Sequence, residues 1–179
     1  MTHLHHAGCA CLQPLNRLSR RGVLSLGLAG GLATALPAFG QAKAYDAMLI
    51  NCIDPRFTTY NWAYMASHGY KDLYSHFVFA GGPIGAVSPK FADWHKTVWD
   101  NLDISLQLHQ IRRVVGLTHR DCGAAVVAYG EEIKTNKAFE TAKHTEALKQ
   151  FRAEIGKRQP KLAVETGIMA LDGSVELVG

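Results

Sequence analysis

The chain has 179 residues, 47% of them hydrophobic, and a formal charge of +4, which suits one packed domain and is too little for two ordinary ones. Residues 1–42 carry three arginines and no acid, so the remainder is close to neutral, with 16 basic and 15 acidic groups. No basic stripe with interleaved aromatics occurs there, which argues against nucleic acid as the main partner.

Residues 18–44, LSRRGVLSLGLAGGLATALPAFGQAKA, have the order of an export address: a cationic start, an apolar stretch diluted by Gly and Ala, and small-residue cleavage sites after Ala42 or Ala44. Arg20 and Arg21, between Ser19 and Gly22-Val23-Leu24, resemble the twin-arginine export signal of bacteria, whose machinery carries folded cargo. The expected division is a cleaved signal over residues 1–42 and one domain over 43–179, with the mature protein in the periplasm. An uncleaved membrane anchor is the alternative, weakened by Gly27, Gly30, Gly31 and Pro37 in a run barely long enough to span. His3, His5, His6, Cys9 and Cys11 are metal-capable but would leave with the signal. Cys52 and Cys122 then remain, and in an oxidising compartment such a pair admits a disulfide.

From Tyr45 onward, short apolar runs alternate with longer amphipathic segments. Strands are predicted at residues 46–53 (DAMLINCI), closing on Cys52, at 76–80 (HFVFA), at 112–119 (RRVVGLTH), at 161–171 (KLAVETGIMAL) and, after an Asp-Gly turn, at 174–178 (SVELV). Short helices are predicted at 58–69 and 122–133. A long one is predicted over 88–110, with Ser88 as N-cap, Pro89 in the first position and a buried stripe of Phe91, Trp94, Val98, Leu102 and Leu106. A second long helix is predicted over 136–157, burying Leu148, Phe151 and Ile155. Strands separated by helices specify an α/β fold, a mostly parallel sheet of about five strands flanked by helices. The AGGPIG run at 80–85 lacks the spacing of a dinucleotide-binding turn, so its glycines are read as allowing close backbone approach.

In such a sheet the loops at the carboxyl ends of the strands share one edge, where ligands gather. Cys52 ends the first strand and His119 the third, so both open onto one crevice. Cys52, His119 and Cys122 form a ligand set suited to Zn²⁺, and three protein ligands leave a fourth tetrahedral position for water. Asp54 and Arg56 stand at alternate positions after Cys52. An extended chain would put both on its side of the backbone, the carboxylate near the metal or its water and the guanidinium holding it ionised. His68, His76, His95, His109 and His144 are scattered candidates for a proton shuttle, and Trp62, Trp94 and Trp99 are read as packing residues.

CIDPR at 52–56 and HRDCGA at 119–124 resemble the paired signatures of the β-class carbonic anhydrases, Cys-x-Asp-x-Arg and His-x-x-Cys-Gly. The gap between them, Ala80-Gly81-Gly82 and the closing GIMALDGSVEL follow that family's layout over residues 45–179. The resemblance implies Zn²⁺ held by Cys52, His119 and Cys122, with Asp54 and Arg56 beside it, and reversible hydration of CO₂ to bicarbonate by a zinc-bound hydroxide. In family members the counterpart of Asp54 also occurs as a zinc ligand that closes the site. The resemblance further implies assembly as dimers or their multiples. Hydrolysis of carbonyl sulfide or carbon disulfide at the same zinc, and a non-catalytic zinc-binding module, are the alternatives. The sequence departs from the family pattern at Val78-Phe79, where Arg-Asn is usual, at Pro55, and in showing no helical arm before the first strand.

Overall fold

The computed structural model describes residues 45–179. The export signal read over residues 1–42, with its Arg20-Arg21 pair and the His and Cys residues upstream of it, lies outside the described residues. Five strands form one sheet in the order β2-β1-β3-β4-β5: β1 (Ala47–Asn51), β2 (Tyr74–Val78), β3 (Arg113–His119), β4 (Ala163–Met169) and β5 (Val175–Leu177). The first four are mutually parallel, and β5 pairs antiparallel with β4. This is the expected α/β architecture.

Every residue of β1 is buried, because helices cover both faces of the central strands. Met48 and Ile50 point into a core with Val98, Trp99, Leu102, Phe151 and Ile155, the apolar stripes of α3 (Ala92–His109) and α6 (Lys137–Arg158). Ala47 and Leu49 point the other way, onto Phe57 and Met65, the latter carried by α1 (Thr58–Ser67). The period-two alternation of one strand thus feeds two cores. The face of α6 is the expected one, with Leu148, Phe151 and Ile155 all buried, and Asn136 caps its start by accepting the Phe139 N–H.

Several local expectations are corrected. The long helix predicted at 88–110 opens instead with a 3₁₀ turn, Pro89–Phe91, and becomes α-helical only at Ala92. The tighter turn shifts the phase of the apolar stripe: Trp94 is left 40% exposed, stacked on Phe91, while Trp99 is buried. Trp62 is also exposed, so of the three tryptophans expected to pack, only Trp99 lies in the core. The helix predicted at 122–133 is divided by Gly130, which has φ of +91°, into α4 (Gly123–Tyr129) and α5 (Glu132–Thr135). A short helix not predicted from the sequence, α2 (Pro83–Val87), follows the glycine pair, with Pro83 in its first turn and Ile84 and Ala86 buried. The second strand starts two residues earlier than predicted, pairing Tyr74 with Ala47. No helix among the described residues is long and apolar enough to cross a membrane.

Gly82 makes a close approach at the functional edge: its φ is +51°, and an added Cβ would stand 2.7 Å from the carbonyl carbon of Asn51. Gly82→Ala is expected to cost roughly 1–3 kcal/mol from backbone strain alone, read as a lower urea midpoint at unchanged slope.

Candidate metal centre

The chain leaves β1 toward β2 on one side, while β1's other neighbour is β3, so strand order reverses between β1 and β3. Crevices in parallel sheets open at such a reversal, at the carboxyl ends of the strands. Asn51 pairs with Leu117, so Cys52 follows the last pair of β1 while β3 runs on to His119. Cys122 then stands at the N-cap position of α4. One ligand atom each from Cys52, His119 and Cys122 lies within 4.8 Å of the others, and all three residues are buried. The sulfurs are free thiols, with no disulfide between them, which removes the competing reading of this pair.

The imidazole is oriented from behind. Nδ1 of His119 lies 2.9 Å from the Arg120 carbonyl oxygen, an acceptor only, so the hydrogen-bond network assigns the proton to Nδ1. Nε2 is thereby left bare, and it is buried without a hydrogen-bond partner. Phe57 packs on the ring with centroids 4.1 Å apart. A buried unpaired acceptor is costly unless something binds it, and a metal ion binds neutral imidazole through such a nitrogen.

The sulfurs are prepared in a matching way. The Cys52 thiol is held well below its ordinary range by the neighbouring Cys122 thiol, by His119 and by the Gly81 N–H, against the opposing effect of burial. That N–H stands 3.3 Å from Sγ. Gly81 and Gly82 both have positive φ, the conformation that brings this backbone up to the sulfur. Cys122, facing the Cys52 sulfur in a buried setting, is pushed up, because two adjacent buried sulfurs resist carrying charge together. A dication offsets both charges. In a tetrahedral zinc site with Zn–S near ~2.3 Å and Zn–N near ~2.0 Å, the donor atoms stand roughly 3.5 Å apart, compatible with the observed cluster. The donor set therefore fits Zn²⁺.

Asp54 and Arg56 lie beside the triad, but not on an extended chain. Pro55–Phe57 is a 3₁₀ turn with Asp54 as its N-cap. Pro55, unusual for the motif, occupies the first position of that turn, where its fixed φ is favourable. Asp54 accepts the Arg56 backbone N–H at 3.0 Å, and its carboxylate is gripped by Arg56 through Nε at 3.0 and 3.1 Å and Nη2 at 2.7 Å. Those bonds hold its carboxyl below the usual carboxylate range. Its oxygens are not among the ligand atoms gathered within 4.8 Å, so the three-ligand set is the one the geometry offers.

Sequence reasoning missed the residues that brace this pair. Arg56 reaches across to Asp121 with Nη1 on Oδ2 at 2.8 Å and Nη2 on the carbonyl oxygen at 3.0 Å. Asp121 has φ of +57°, and its N–H donates to Glu140 Oε1 at 2.8 Å. Glu140 also accepts from Arg120, which bonds Thr141 and Glu176 as well. Arg120 and Asp121 stood in plain view inside His-x-x-Cys, but nothing local indicates partners 19 or more residues away. Cys122, Asp121 and Glu140 all line a cavity of about 490 Å³.

None of the five shuttle candidates joins the ligand cluster. His144 is fully buried with both ring nitrogens unpartnered, and burial first, then the Arg120 charge, pushes it down to about 3; it stays neutral and out of reach of solvent. His68, His95 and His109 bond the Tyr64 carbonyl, the Ser88 carbonyl and the Ser75 hydroxyl. His76 bonds Asn51 Oδ1 at 2.6 Å.

A mostly parallel α/β sheet with a Cys-His-Cys cluster at its strand reversal defines a domain able to hold a metal ion at that edge, and comparison with known proteins narrows it. The model of the family described as "Putative carbonic anhydrase" matches residues 42–176, and the chain belongs to that family. Uncharacterized proteins of Rickettsia conorii and Rickettsia bellii are each 34% identical to it over 133 residues, 74% of this chain and 72% and 81% of theirs. Among solved structures, a carbonic anhydrase from Glaciozyma antarctica is similar with a TM-score of 0.51 at 17% identity, over 82% of this chain and 98% of that one, a likeness in fold.

The ligand assignment has a direct check. His119→Ala, Cys52→Ser and Cys122→Ser are each expected to reduce bound zinc from about one ion per chain to trace levels after dialysis, whereas Asp54→Asn retains it; elemental analysis of the four variants reads this.

Proposed function

We propose that this chain is a zinc lyase of the β-carbonic anhydrase class, catalysing the reversible hydration of carbon dioxide to bicarbonate. The observation that carries the reading is the convergence of two buried sulfurs and a bare imidazole nitrogen within 4.8 Å, with the Asp54–Arg56 pair beside them. When bound, Zn²⁺ supplies Lewis acidity that lowers the pKa of a coordinated water.

The rest of the chemistry belongs to the protein. As thiolates, Cys52 and Cys122 would neutralise a bound dication and leave the site with little net charge, which suits a neutral gas as substrate and a monoanion that must depart. Arg56 keeps Asp54 ionised, an acceptor able to orient a proton donor near the triad. The Gly81 N–H fixes one sulfur, and the Arg120 carbonyl fixes the imidazole, so the ligands are held in place before the ion arrives.

The signal-like segment at residues 18–44 supports export by the twin-arginine route and a periplasmic site of action, since a route for folded cargo delivers thiols already buried. We also assign a homodimer: β2 is an edge strand, and its last residue, Val78, is exposed. Light scattering on the mature chain reads this as twice the monomer mass.

Stopped-flow measurement of CO₂ hydration tests the activity. The zinc-loaded mature protein is expected to hydrate CO₂ well above background, to lose this on chelation, and to fall by about a hundredfold in Asp54→Asn. Zinc at full occupancy without hydration rejects the reading, and turnover of carbonyl sulfide or carbon disulfide in the same preparation redirects the site to sulfur chemistry.

A further inference from the structure

The Asp54–Arg56 pair is local. Asp54 caps the 3₁₀ turn that holds Arg56, and the bonds between them span two residues. By themselves they fix the two side chains to each other; buried Phe57 anchors the turn's backbone against the His119 ring, but the paired side chains gain no tie to the Cys122 loop from it. The bonds that cross to the other motif are those from Arg56 to Asp121, 65 residues away, at 2.8 Å to the carboxylate and 3.0 Å to the carbonyl.

Asp121 is itself held. Its left-handed backbone is a conformation that L-residues with side chains adopt reluctantly, Asp more readily than most. The Glu140 carboxylate on α6 receives its N–H at 2.8 Å. That carboxylate is mostly buried and is paired with Arg120, whose own backbone N–H bonds the Met169 carbonyl at the end of β4. The order of attachment thus runs from α6 and β4 to Asp121, from Asp121 to Arg56, and from Arg56 to Asp54.

We infer that Asp121 is a positioning residue for the metal centre: by gripping Arg56 through Nη1 and Nη2, the edge next to the Nε and Nη2 donors that hold Asp54, it keeps the Asp54 carboxylate off the ion and the fourth coordination position open to solvent and small anions. The inference rests on the zinc-site reading and names the residue that sets whether that site is open. Arg56 is forked between two carboxylates, and its planar donors fit both at once. Without the Asp121 carboxylate the guanidinium loses its charged anchor on the Cys122 loop, and the Asp54 side chain is free to turn toward the cation while Phe57 still holds the backbone of its turn in the core.

Cobalt substitution gives a readout other than turnover, because the visible spectrum of Co²⁺ reports its coordination. The cobalt-loaded mature chain is titrated with thiocyanate as wild type, Asp121→Asn, and the double variant Asp54→Asn with Asp121→Asn. The wild type is expected to show a saturable spectral change. Asp121→Asn is expected to bind cobalt at the same stoichiometry but thiocyanate about tenfold more weakly, the weakening that follows when about nine in ten sites are closed. The double variant returns to the wild-type affinity, since no carboxylate remains to close the site. Glu140→Gln, which disturbs Asp121 only through its backbone, shifts the affinity in the same direction by less. The inference is overturned by a wild-type spectrum indifferent to thiocyanate, by an unchanged Asp121→Asn titration, or by a double variant as weak as the single one. A wild-type chain that takes up no cobalt instead overturns the metal-site reading on which the inference rests.

Discussion

The pairing of β1 with β3 is the constraint on which the remaining geometry depends. It sets the end of one strand beside the end of another that lies more than 60 residues later in the chain, with Asn51 opposite Leu117. Slipping this register by one residue would exchange the two cores fed by β1 and carry Cys52 away from His119. The burial of all five β1 residues therefore fixes the site as firmly as it fixes the fold. The glycine turn before α2 completes the arrangement, because only a backbone without side chains at Gly81 and Gly82 comes close enough to seat the first sulfur.

Much of this was legible in the residues themselves. Alternation of apolar runs with amphipathic segments gave the parallel sheet, and the faces of the long helices followed from their spacing, with Leu148, Phe151 and Ile155 buried as expected. The clustering of Cys52, His119 and Cys122 was legible because each stands at a strand or helix terminus whose position follows from that pattern. What escaped was set by local backbone geometry or by distant partners. Pro55 and Pro89 each begin a 3₁₀ turn that an apolar stripe does not announce, and the second of these turned Trp94 outward. Glu140 is one acid among many on a charged helix face. Its contact with the Asp121 backbone exists only once α6 has packed.

The charged groups around the triad form a connected chain rather than a set of isolated pairs. Exposed ion pairs contribute little singly, and Arg56 and Asp121 are both substantially exposed. Their value lies in direction: a planar guanidinium with acceptors on two adjacent edges has few orientations left. The more buried members, Arg120 and Glu140, are joined to backbone as well as to each other, which is how buried charge is tolerated at low cost.

The free state of Cys52 and Cys122 has a chemical corollary. Two thiols this close form a dithiol that an oxidant can join, and a single such event would remove two of three ligands together. A cation seated between them ties up the lone pairs that oxidation needs. For this chain the metal would thus serve as a protecting group as well as a reagent, and the order in which metal and oxidant reach the newly folded protein would decide which of two products it becomes.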